Sequence, residues 1–180
     1  YKIGDTMASG ISMPFYLETG FTKTEIGTVV KFFGTAATLV GAFLGGVLML
    51  KLGINRGLWI FGFLQALSTA GFAILARIGY NIAMLSGVIA FENLSSGMGT
   101  AAFIAFMASL TNKKFTATQY ALLTSLMGLP RALASSVTGF MAKNMGWQSF
   151  FVFCTLIAIP GMLLLLKIVP RNSRPEGEGF

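Results

Sequence analysis

The chain has 180 residues, 54% of them hydrophobic and 11% charged, and its mean hydropathy is +0.75. A soluble domain carries about 25% charged residues, so this composition excludes one and points to an all-α membrane protein. The net charge of +7 would suggest nucleic acid in a soluble chain, but the basic residues stand mostly in short connections between apolar runs, which leaves the lipid bilayer and no nucleic acid as the expected surroundings.

One cysteine, Cys154, excludes an internal disulfide and a cysteine metal cluster, and in its apolar run it reads as packing. The chain has no histidine. A histidine-liganded metal and a histidine proton relay are therefore excluded within it, and no metal or cofactor is expected. The chain begins at Tyr1 without Met, and polar residues stand at once in what reads as a helix. We expect a fragment of a longer membrane protein, without a signal peptide.

About 20 apolar residues cross the hydrocarbon core as a helix. Six runs meet or approach that length: 3–17, 26–50 (interrupted by Lys31), 57–76, 82–110 (interrupted by Glu92), 117–142 (interrupted by Arg131) and 147–166. The fourth would measure roughly 43 Å at about 1.5 Å per residue, so it must tilt, bend or protrude, and Gly97 and Gly99 near its middle make bending easy. The pattern predicts a six-helix transmembrane bundle over residues 1–169 and a polar tail over 170–180. Lys and Arg favour cytoplasmic connections. Lys51, Arg56, Lys113, Lys114, Lys167, Arg171 and Arg174 outnumber Lys23, Arg77 and Lys143 on the opposite side. That asymmetry predicts a cytoplasmic C-terminus.

The stretch FENLSSGMGTAAFIAF at 91–106 cannot be explained by apolar burial. A charged residue in hydrocarbon costs ~2.5 kcal/mol or more and usually faces a bundle interior or a water-filled cavity. The small residues after Glu92 and Asn93 let a neighbouring helix, or a ligand, approach the backbone closely. Lys2 and Asp5 share one face of the first helix. With Lys31, Glu92 and Arg131 they make three positive and two negative charges in four helices. Either these charges meet around one cavity, or they are structural ion pairs that lock helices together.

In the fifth helix Thr124, Gly128, Arg131, Ser135 and Thr138 form a small, polar stripe. In the second, Gly34, Thr38, Gly41 and Gly45 form another, a pattern typical of helix packing. Pro130 favours a kink beside Arg131, a candidate gating hinge together with Gly97 and Gly99. No HExxH, nucleophile elbow, phosphate loop or dinucleotide-binding glycine motif is present, so an enzyme is not expected.

Residues 41–58, GAFLGGVLMLKLGINRGL, resemble the cytoplasmic loop motif of the major facilitator superfamily. They keep Gly46, Lys51, Gly53 and Arg56, with Leu50 where that motif usually carries an acidic residue. YKIGD at 1–5, FENLSSGMGTAAF at 91–103, TATQYALLTSL at 116–126 and AIPGMLLLL at 158–166 resemble, in that order and spacing, the second half of AmpG-type muropeptide permeases. One departure is Ser95-Ser96, where a smaller or glycine-richer pair is expected.

The resemblance implies the C-terminal half of a twelve-helix secondary transporter in the bacterial inner membrane, partnered by an N-terminal half. It implies proton-coupled import of N-acetylglucosaminyl-1,6-anhydro-N-acetylmuramic acid and its peptides for cell-wall recycling. Related acetyl-CoA transporters share the architecture and are the alternative, although a phosphate-bearing cargo calls for a denser cationic cluster. With no histidine, Asp5 and Glu92 are the candidates for proton coupling. Lys2, Lys31, Asn93, Gln119 and Arg131 are the candidates for cargo contacts or cavity ion pairs.

Overall fold

The computed structural model describes residues 2–110 and 116–168. Helices α1 (Ile3–Gly10) and α2 (Ser12–Thr19) come first. They are followed by α3 (Lys23–Glu25), a π-helical stretch (Ile26–Phe33) and α4 (Gly34–Leu52), which together run without interruption from Lys23 to Leu52. Then come α5 (Ile54–Ile78), α6 (Ile82–Leu110), α7 (Thr116–Met145) and α8 (Trp147–Ile168). Four of these helical runs among the described residues are long and apolar enough to cross a membrane: Lys23–Leu52, Ile54–Ile78, Ile82–Leu110 and Trp147–Leu164.

The helix expected over 3–17 is two helices of 8 residues each, separated at Ile11, where φ is −120° and ψ 9°. Pro14 explains the break. It has no N–H to bond the Gly10 carbonyl, and its ring crowds that carbonyl. Neither half alone reaches the length a membrane crossing needs. α7 runs 30 residues and is the least apolar of the long helices, because its serines, threonines and Gln119 interrupt the apolar pattern.

Local chemistry sets the other boundaries. Thr22 and Glu25 form a capping box: the Thr22 hydroxyl accepts from the Glu25 N–H at 3.3 Å, and the Glu25 carboxylate accepts from the Thr22 N–H at 2.8 Å. The Asn81 side-chain oxygen accepts from the Met84 N–H at 2.9 Å and opens α6. Between α4 and α5 the chain turns at Gly53, whose φ of +76° suits glycine alone among common residues.

α6 is the central helix. It packs most extensively on α4 and α5, while α8 packs on α5 and α1. The α4–α6 contact is a backbone-to-backbone approach. A Cβ on Gly41 would fall on the Leu94 carbonyl, and one on Gly97 would fall on the Thr38 carbonyl. The small stripe of α4 is thus filled by α6. Towards one end of the bundle an aromatic cluster joins α2, α5 and α8: Phe15 meets Phe151 edge-on at 4.8 Å, and Phe72 stacks on Phe151 at 5.3 Å.

Two polar links tie the connections at that end. Trp147 Nε1 donates to Glu18 at 2.8 Å. The Tyr80 hydroxyl donates to Glu25 at 2.7 Å, a bond that raises the phenol pKa above its ordinary value. Farther along α5 and α6, Leu58, Phe61, Met98 and Ala102 form a second apolar cluster.

Candidate functional site

A cavity of about 510 Å³ opens between α1–α2 and α6. Helical periodicity builds its walls. On the α1–α2 side Lys2, Asp5, Thr6, Ser9, Ser12 and Tyr16, and on α6 Glu92, Asn93, Ser96, Thr100 and Phe103, recur at steps of three or four residues, apart from the adjacent pairs Asp5–Thr6 and Glu92–Asn93. Phe72 of α5, Val30 of the π-helical stretch, Ile3 and Ile89 complete the lining. The surface combines hydroxyls, one amide and three charges with aromatic and aliphatic faces. It suits an amphipathic organic cargo that carries both polar groups and apolar faces.

The charged groups meet. Glu92, only 7% exposed, is buried in the middle of α6. Its carboxylate accepts from the Ser68 hydroxyl of α5 at 2.5 Å. Across the cavity the Asp5 carboxyl lies within hydrogen-bonding reach of Glu92, and the Lys2 ammonium is close enough to act on it electrostatically. Two carboxyls can hydrogen-bond only if one of them carries a proton, because a carboxylate is an acceptor alone. Lys2 Nζ also donates to Thr100 Oγ1 at 2.8 Å, which fixes the cation against α6. Tyr16, 2% exposed, bonds the Ser12 side chain and lies within electrostatic reach of Glu92.

Asn93 has two tasks. Its Nδ2 donates to the Ile89 carbonyl at 2.9 Å, and its Oδ1 accepts from Thr38 Oγ1 at 2.9 Å. It therefore joins α6 to α4 while bordering the cavity.

Of the residues singled out from sequence, the structure brings Lys2, Asp5, Glu92 and Asn93 together. Lys31 is not with them. It is exposed on the π-helical stretch, and its neighbour Val30 takes the lining position. Gln119 is half-buried on α7 and does not line this cavity. The side chains of Pro130 and Arg131 lie outside the described residues, and so do the hinge and the cavity role expected of them. Gly97 and Gly99 are buried in an uninterrupted helix, and Gly97 is occupied with packing on α4.

Ser68 and Tyr16 do not stand out in the sequence, and Thr100 stands there only among the small residues that follow Glu92 and Asn93. The signal for Ser68 was present: Gln65, Ser68 and Thr69 put polar groups on one face of an otherwise apolar run. All three are buried.

The Major Facilitator Superfamily model matches residues 3–179. The chain belongs to that superfamily. It is also similar to named relatives. It is 41% identical to the anhydromuropeptide permease of Escherichia coli (strain K12), over 100% of this chain and 40% of the permease. It is 40% identical to "Putative transporter AmpG 1" of Rickettsia prowazekii (strain Madrid E), over 93% of this chain and 38% of that protein. An uncharacterised protein of Haemophilus influenzae is 41% identical over 96% of this chain and 42% of its own length. The chain thus spans about two fifths of these relatives. Membership of this superfamily accords with the four helical runs among the described residues that are long and apolar enough to cross a membrane.

Proposed function

We propose that this chain is the C-terminal half of a proton-coupled importer of peptidoglycan turnover products in the bacterial inner membrane. In this reading α1 and α2 together make the first of six membrane crossings, and the C-terminus is cytoplasmic. The cargo is N-acetylglucosaminyl-1,6-anhydro-N-acetylmuramic acid and its peptides, as the likeness to the anhydromuropeptide permease suggests. The observation that carries the coupling is the contact of Asp5 with Glu92 across a polar cavity.

The mechanism follows from that contact. With one proton shared between them, the two carboxyls bond α1 to α6 across the cavity. When the proton leaves, two like charges face each other with Lys2 as compensation. At an effective dielectric near 20 that repulsion is ~4 kcal/mol at about 4 Å. α1 then swings away from α6, and the cavity opens. Cargo hydroxyls and acetamides bond Ser96, Thr6, Ser9 and Asn93, sugar faces lie on Tyr16, Phe72 and Phe103, and peptide carboxylates meet Lys2.

The test is uptake of labelled anhydro-muropeptide by cells carrying the full-length transporter, with and without a protonophore. Uptake that collapses with the proton gradient supports the proposal. Uptake indifferent to the protonophore removes the coupling and keeps the cargo. No uptake above vector control removes the muropeptide and turns the search to acetyl-CoA.

A further inference from the structure

Glu92 has two sides. One looks into the cavity, towards Asp5 and Lys2. The other bonds Ser68, which does not line the cavity and is buried on α5. Ser68 Oγ lies within hydrogen-bond distance of two acceptors: Glu92 Oε2 at 2.5 Å and the Gln65 carbonyl oxygen at 2.9 Å. A serine hydroxyl has one hydrogen to give and two lone pairs with which to accept. It can serve only one of these acceptors at a time.

We propose that Ser68 is the positioning residue that keeps Glu92 bonded in both of its protonation states, which rests on the proton-coupling reading above. When Glu92 is a carboxylate, Ser68 donates to it. When a proton adds to Glu92, one negative charge is neutralised and the new O–H donates to Ser68 Oγ. The Ser68 hydrogen then turns to the Gln65 carbonyl. No other group changes its proton, and neither form of Glu92 is left without a partner. A buried polar group stripped of its partner would carry a desolvation penalty, so a carboxyl that must cycle inside a membrane needs such a reversible neighbour.

Asp5 cannot fill this place. It stands across the cavity on α1, and it departs when the cavity opens. Ser68 stays, because α5 and α6 form one packed hairpin with only residues 79–81 between them. Among the described residues the charged and titratable groups within reach of Glu92 are Asp5 and Lys2 from the α1 segment and Tyr16 from α2. Neither α4 nor α5 adds another there. Ser68 is thus the neutral donor–acceptor on the side of Glu92 away from the cavity.

Infrared pH-difference spectroscopy on the full-length transporter in lipid nanodiscs tests this. The protonated-carboxyl band lost in Glu92→Gln identifies Glu92. Because the bond to the charged carboxylate is the stronger of the two, we expect that band to persist to higher pH in Ser68→Ala, by about one pH unit, and to return towards the wild-type midpoint in Ser68→Thr, which restores the hydroxyl. The pH profile of gradient-driven uptake should move in the same direction. A Ser68→Ala midpoint equal to wild type overturns the assignment, as does the absence of any band that depends on Glu92. If wild-type uptake is indifferent to the gradient, the transport reading falls, while the midpoint comparison still decides the role of Ser68.

Discussion

Lys2 and Thr100 lie at opposite ends of the sequence stretch that builds the cavity, yet the ammonium donates to the hydroxyl at 2.8 Å. A hydrogen bond to a charged group is worth ~1.5–3 kcal/mol. Thr100→Val keeps the shape and removes the acceptor. We expect it to raise the KM for peptide-bearing cargo by about tenfold, ~1.4 kcal/mol, with little change in thermal unfolding. Equal KM values for mutant and wild type would show that Lys2 needs no anchor on α6. Asn93 supports packing and cavity together, so Asn93→Leu should differ in kind. It removes the Thr38 link as well as a lining amide, and both the unfolding temperature and the uptake rate should fall.

Close packing of α4 on α6 gives the sharpest stability expectation. Gly41→Leu drives a side chain into the Leu94 backbone. Overpacking typically costs ~1–3 kcal/mol, occasionally more, and this site meets backbone that has no rotamer to escape into. Gly46→Ala is the control, because nothing lies within 4 Å of a Cβ there. Thermal unfolding in detergent should show a lowered midpoint for the first and an unchanged one for the second. The small stripe of α4 was readable as helix packing because small residues at every third or fourth position (Gly34, Thr38, Gly41 and Gly45) have few other uses in hydrocarbon. Its partner was not readable, since Gly97 meets α4 only once the fold is formed. Glu92, Asp5, Lys2 and Asn93 were visible because a polar group in an apolar run stands out against its background. Ser68 was hidden because a serine is a mild polar residue and its partner lies 24 positions away. The break at Ile11 does not show in the apolar pattern of 3–17, because Pro14, one turn later, decides where the helix ends.

The molecule as a whole presents large apolar side chains outward, among them Phe32 at 80% exposure and Leu50 at 86%. Such faces are ordinary against lipid or against a second bundle. Because the chain spans about two fifths of its relatives' length, we expect it to transport nothing by itself. Co-expression with the remaining segment of the transporter should restore uptake. Uptake by this chain alone would show that the cavity between α1–α2 and α6 is sufficient.

The contact of Asp5 with Glu92 is tested most directly by comparing accumulation with exchange in proteoliposomes of the full-length transporter. Asp5→Asn and Glu92→Gln should each abolish accumulation of labelled anhydro-muropeptide against its gradient. Both should retain exchange of labelled for unlabelled cargo, which needs the cavity but no net proton movement. If both variants accumulate cargo as the wild type does when a proton gradient is imposed, the carboxyl pair does not couple the proton to transport.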